Sequence, residues 1–171
     1  MSSGRAHARA TMLLVIPAGL LAASVLDGDA VSNVIAGAVG CLTGRIIEPD
    51  LDVDGITQSE WKMIKRFWIF GMLWVTLWYP YAWAIPHRSP FSHFPLLGTA
   101  GRVFYLMVVV TAVSAVLRAP VPILDIVAHP LFYPWFVGLA LADTAHFLMD
   151  VVPSRLGALG RFRILSQEIS R

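Results

Sequence analysis

The sequence predicts an all-α membrane protein: a bundle of about four transmembrane helices plus an aromatic segment, residues 67–85, that lies in the interface or re-enters. Three observations predict it. Hydrophobic residues make up 57% of the 171 and charged residues only 14%, against roughly half and a quarter in ordinary soluble domains. The apolar residues fall in runs comparable to the roughly twenty-residue length that crosses a hydrocarbon core. The Lys and Arg residues collect on one side of those runs. A mean hydropathy of +0.67 excludes a disordered tail, a coiled coil and a conventional soluble enzyme. The net charge of +2 and pI near 9.0 are too mild to argue for nucleic acid as a partner. The single cysteine, Cys41, excludes an internal disulfide and any CxxC motif.

The first run extends from Thr11 to Leu26 and contains Pro17; Asp27, Gly28 and Asp29 then make a short turn. The second, Ala30 to Ile47, is rich in Gly and Ala, which suits close helix packing. The third, Phe67 to Ile85, carries Trp68, Trp74, Trp78, Tyr79, Tyr81 and Trp83 around Pro80. So many Trp and Tyr residues suit the headgroup level better than mid-bilayer. The fourth, Val103 to Leu117, is extended at its start by Leu96 to Arg102, and the fifth opens at Pro134, a good first-turn residue, and ends before Pro153. Residues 1–152 read as one transmembrane domain. Residues 153–171, with Arg155, Arg161 and Arg163 among Leu156, Leu159, Phe162 and Ile164, read as a basic interfacial tail. Arg5 and Arg9 before an apolar run also resemble a signal peptide, whose removal would take His7 away; the apolar segments that follow favour an uncleaved first span.

Charge orients the bundle. Of the basic residues only Arg118 falls in the loop after the fourth run, and none falls in the Asp27–Asp29 turn. If the aromatic segment does not cross, the rest lie on one side, cytoplasmic by the positive-inside rule. The expectation is a multi-pass inner-membrane protein with both termini cytoplasmic. A fifth true span is the alternative, and it would move Arg88 and Arg102 outside.

In so apolar a chain the remaining ionisable residues stand out, because each costs roughly 2.5–3.5 kcal/mol at membrane depth and implies a partner or a function. His146 and Asp150 are spaced i, i+4 and share a helix face. An extended Asp50-Leu51-Asp52 would send both carboxylates the same way. His87 and His93 bracket a short loop, and His7 stands before the first span. With four crossings all of these reach the cytoplasmic side. Three or four imidazoles with two or three carboxylates form a site for one or two divalent ions, Zn first, with Mn or Fe also compatible. Asp143, one turn before His146, is either a partner that orients an imidazole or a helix–helix hydrogen-bonding group. Arg88 is a candidate contact for a substrate anion. Asp54 and Glu60 read as solvated loop residues, and Asp125 and His129 fall on the opposite side.

Gly4-Arg5-Ala6-His7, Pro49-Asp50-Leu51-Asp52, Tyr79-Pro80-Tyr81 leading into Pro86-His87-Arg88-Ser89, Ser92-His93 and His146-x-x-x-Asp150 resemble an uncharacterised bacterial and phage family of predicted metal-binding membrane proteins. That family is similar to the LexA-regulated, YdjM-type, membrane-bound predicted metal-dependent hydrolases. The resemblance covers His7 to about Ser154 and implies metal binding at His7, Asp50, Asp52, His87, His93, His146 and Asp150. Ser89 and Ser92 depart from the Gly and Thr of the YdjM-type loop, and the aromatic segment before His87 is an insertion.

Other membrane-enzyme signatures are absent. No histidine opens an H-E-x-x-H, no G-x-S-x-G elbow occurs, and Ala140 stands where a lipid-phosphate phosphatase would carry Arg before His146. The expected function is a membrane-embedded metal-dependent hydrolase acting on a phosphoester in a lipid or amphipathic substrate at the cytoplasmic face, with Asp52 or Asp150 as base. The alternatives are a metal-stabilised scaffold and a metal transporter; transport would place ligands near mid-bilayer.

Overall fold

The computed structural model describes the backbone of residues 4–52, 55–86, 89, 91 and 94–169, and side chains of 6–52, 55–57, 60–86, 89, 91 and 94–151. The elements are all helices, with no strand among the described residues. Helix α1 spans Gly4–Val25, α2 Ala30–Thr43, α3 Gln58–Ala84, α4 Pro95–Val116, α5 Ile123–Ala128 and α6 Phe132–Ile169, with a 3₁₀ turn at Pro49–Asp52. Among the described residues two helices, Ala6–Val25 and Pro95–Val116, are long and apolar enough to cross a membrane; α2 is apolar but shorter.

Helices α1, α2 and α6 form the tightly packed centre. Asp29 caps α2 by accepting a hydrogen bond from the Ser32 N–H at 2.7 Å; the Ser32 side chain and then this N–H lower its carboxyl pKa, and Asn33 bonds back to the Leu26 and Asp27 carbonyls. These contacts fix a hairpin that lays α2 antiparallel on α1. Small residues then let the backbones touch. A Cβ on Gly138 would lie 1.9 Å from the Gly37 carbonyl oxygen, and one on Gly40 would lie 1.9 Å from that of Trp135. Only glycine permits that approach, as in small-residue packing within bilayers. The buried centre is Ala18, Cys41 and Ala142, with the Cys41 thiol donating to the Thr11 carbonyl.

Helix α3 is capped by a reciprocal box: Thr57 accepts from the Glu60 N–H, and Glu60 accepts from the Thr57 N–H. Glu60 is therefore buried at 6% exposure, not solvated as the sequence suggested, because its carboxylate serves the cap. The helix folds sharply at Phe67 and Trp68, the latter at φ 24°, so that Gly71 meets the Ile64 backbone. The aromatic segment is thus the second arm of a helical hairpin. Trp78 and Tyr81 from this arm pack with Ile47 and Leu51, and Tyr105 of α4 donates to the Leu77 carbonyl.

Helix α6 does not end before Pro153, as the sequence suggested, but continues to Ile169. Large apolar side chains stay exposed along the helices, among them Leu13 at 79% and Val116 at 82%.

Candidate metal centre

Three elements bring ionisable side chains to one end of the central bundle. His7 lies in the second turn of α1, Asp50 in the 3₁₀ turn after α2, and His146 and Asp150 share a face of α6. The His7 Nε2 is 3.4 Å from one Asp150 oxygen, and the His146 Nε2 is 3.5 Å from the other. The same His146 nitrogen lies 3.5 Å from Asp50. The two imidazole rings are 4.0 Å apart between centroids, tilted by 41°. One ligand atom from each of His7, His146 and Asp150 falls within 4.8 Å of the other two. The imidazoles are buried, at 10% and 6% exposure, while Asp150 and Asp50 are open to 29% and 40%. The site therefore has a dry imidazole floor and an accessible carboxylate mouth.

Asp50 and Asp52 do not point the same way. The expected extended D-x-D is instead a 3₁₀ turn, which advances about 120° per residue. Asp50 meets His146, whereas Asp52, only 1% exposed, lines a neighbouring cavity with Glu60 and Trp78. His87, Arg88 and His93 lie outside the described residues. Asp125 and His129 line an apolar cavity of about 970 Å³ together with Ser32, at the far end of α2 from Asp50.

Arg102 and Asp143 form a second polar group. Arg102 was expected to flank a span; it is 0% exposed, and its guanidinium pairs with Asp143, which also accepts from the Thr99 hydroxyl. Asp143 thus serves as a helix–helix anchor between α4 and α6. The spacing of Thr99 and Arg102, one turn apart and both inside an apolar run, was the available signal. Asp143, His146 and Asp150 make one polar stripe at i, i+3 and i+7 along α6.

The donor set of the first group fits a divalent ion. Two imidazole nitrogens and two carboxylates are borderline-hard ligands of the kind that suits Zn, Mn or Fe. Bonds of about 2.1 Å put ligand atoms about 3.4–4.2 Å apart, so small side-chain movements would close the group around one ion. A family model described as uncharacterized metal-binding protein, DUF2227, matches residues 2–159. The chain belongs to this metal-binding family. The matched residues hold His7, Asp50, His146 and Asp150 alike. No curated protein and no solved structure matches the chain.

Proposed function

We propose that this protein is a membrane-embedded, metal-dependent hydrolase that cleaves a phosphoester or similar bond in a lipid-like substrate at the cytoplasmic face. One observation carries the reading: His7, Asp50, His146 and Asp150, from three elements far apart in sequence, face each other at one open end of the bundle. Four crossings account for that geometry, with α1 and α4 leading outward and α2 and α6 returning. The exposed apolar side chains of α1 and α4 support embedding, because a soluble monomer rarely bares so much contiguous apolar surface. The motif resemblance to the YdjM-type predicted hydrolases supports metal binding first and, over a scaffold or a transporter, hydrolysis second.

His7 and His146 supply neutral nitrogen ligands from the dry side. Asp50 and Asp150 supply negative charge from the exposed side, where a substrate enters. A bound divalent ion would polarise the scissile group and acidify an attacking water. Asp150 or Asp52 would be the base that takes up the proton of that water. His87, His93 and Asp52 are further ligands by the motif, and Arg88 is suited to hold the substrate anion.

Metal analysis of the detergent-purified chain tests this, with phosphoester turnover measured alongside. One or two ions are expected per wild-type chain, Zn foremost, with affinity falling at least about 100-fold in His146→Ala, more than loss of an outer-sphere partner would cost. Turnover of lipid phosphoesters is expected to vanish in His146→Ala and Asp150→Ala chains that still fold. Stoichiometric metal with no turnover on any phosphoester would make the protein a scaffold. A chain that binds no metal ends the proposal.

A further inference from the structure

Helix α3 changes character abruptly where it folds. Its first arm carries Lys62, Lys65 and Arg66, whereas residues 67–86 contain no charged side chain. The boundary coincides with the reversal at Phe67 and Trp68. On the first arm Trp61, Lys62, Lys65 and Arg66 fall within an arc of about 140°, and all four are exposed. Glu60, Met63 and Ile64 take the other side, with the Met63 and Ile64 backbone set against Gly71 of the second arm. None of the three cations pairs with a carboxylate among the described residues. Lys65 lies instead 5.2 Å over the Trp61 ring, and Arg66 lies 6.0 Å over that of Phe67.

The uncharged arm is anchored at one end and bare at the other. Trp74, Leu77, Trp78 and Tyr81 pack together with Ile47, Leu51 and Tyr105. Before them, Phe67, Trp68, Ile69, Phe70, Met72 and Leu73 are all exposed, Trp68 at 71% and Phe70 at 75%. Bulky residues rarely adopt the positive φ found at Trp68, and here that backbone holds the ring outward, beside the cations.

A surface of this composition matches one partner. Tryptophan and its apolar neighbours settle at the boundary between hydrocarbon and headgroups, and Lys and Arg next to them reach the phosphates of anionic lipids. A nucleic acid is a poorer match, because Ile69, Met72 and Leu73 offer nothing to bases or phosphates. A second copy docked face to face through the same patch would set three cations against three.

We infer that the α3 hairpin is a docking element for anionic lipid, with the tip from Phe67 to Leu73 seated at the headgroup boundary and Lys62, Lys65 and Arg66 holding lipid phosphates. The inference takes the bilayer from the proposed function and owes nothing to the metal or to hydrolysis.

Five of the six tryptophans lie in α3, so energy transfer from tryptophan to a labelled lipid reports chiefly on this hairpin. The full chain is placed in phosphatidylcholine nanodiscs, and phosphatidylglycerol is compared with phosphatidylcholine carrying the same dansyl-labelled acyl chain. Each cation near an anionic surface is worth about fivefold in association. The expected result is a preference for phosphatidylglycerol of about tenfold, reduced to about twofold or less when Lys62→Gln, Lys65→Gln and Arg66→Gln are combined. Salt should weaken the preference, and Arg118→Gln, in the loop after α4, should leave it intact. Should the triple variant fail to fold, the single Lys62→Gln and Arg66→Gln chains carry the comparison, each losing part of the preference. Equal transfer to the two lipids, or a preference retained in a folded triple variant, overturns the inference. A dimer in detergent that Trp68→Ser abolishes would assign the tip to a second copy and overturns it as well. Lipid preference in a chain that binds no metal leaves the hairpin standing while the hydrolase reading falls. Metal and turnover without lipid preference sink the hairpin inference alone.

Discussion

Two polar groups sit about one turn apart on the inner stripe of α6, and their charges are balanced in opposite ways. Around Asp143 the balance is internal: the Arg102 guanidinium and the Thr99 hydroxyl meet the carboxylate, and the cluster is sealed from solvent. Around His146 and Asp150 the described partners are His7 and Asp50, which add nitrogen lone pairs and a further negative charge. The first group is complete with protein atoms; the second gathers donors for a cation and leaves its carboxylates accessible. One helix thus carries both a structural lock and a candidate binding site, and the difference among the described residues is that an arginine meets the first group and imidazoles meet the second.

The sharpest way to break that comparison is to remove the built-in cation. Arg102→Ala leaves Asp143 buried without its counter-charge, at a cost of about 3–5 kcal/mol. Chemical unfolding in detergent should show that loss, and Arg102→Met combined with Asp143→Leu should recover most of it, since apolar replacement of a buried pair is often neutral. A neutral Arg102→Ala would mean the two groups are not distinct in kind. The second group should respond to metal instead. With metal at about 100 times its dissociation constant, chelation should lower wild-type stability by about 2.7 kcal/mol and leave His146→Ala unchanged. Its loss must follow metal concentration, which the Arg102 effect should not.

The sequence showed the helical class and the apolar runs because each is a local property: composition and run length are read within twenty residues. The meeting of His7, Asp50, His146 and Asp150 was expected from the charge pattern, which suggested that the ends of their segments share one side; the structure brings these four side chains together. The direction of Asp52 was not legible. A four-residue 3₁₀ turn and an extended D-x-D have the same spelling, and the choice between them is made by packing of Leu51 against Trp78 and Tyr81. Arg102 was misplaced for a related reason. An arginine near the start of a span reads as a flank until α6 supplies Asp143 from forty-one positions away. The reversal at Trp68 likewise depends on the close meeting of Gly71 with Ile64, which no propensity encodes.

The smallest effect on stability probes what holds the second group together. Gly138 lies about two turns before His146 on α6, roughly 12 Å along the axis, and no ligand touches it. An added Cβ there meets the Gly37 carbonyl oxygen at 1.9 Å, a backbone atom that cannot turn aside, so α2 and α6 must part. Overpacking of this kind costs about 1–3 kcal/mol. Because Asp50 follows α2 and His146 rides on α6, Gly138→Ala should weaken metal binding while altering no ligand. The Arg102–Asp143 pair joins α4 to α6 and should survive. Gly101→Ala is the matched control: among the described residues its Cβ would meet the Phe91 carbonyl oxygen, at an ordinary 3.6 Å, and alanine favours the helix by up to about 1 kcal/mol. Isothermal titration with metal should therefore separate the two variants, with a clear loss of affinity for Gly138→Ala and none for Gly101→Ala. Equal affinities would show that the α2–α6 contact does not set the distance between Asp50 and His146, and that the loop after α2 finds the metal group by its own conformation.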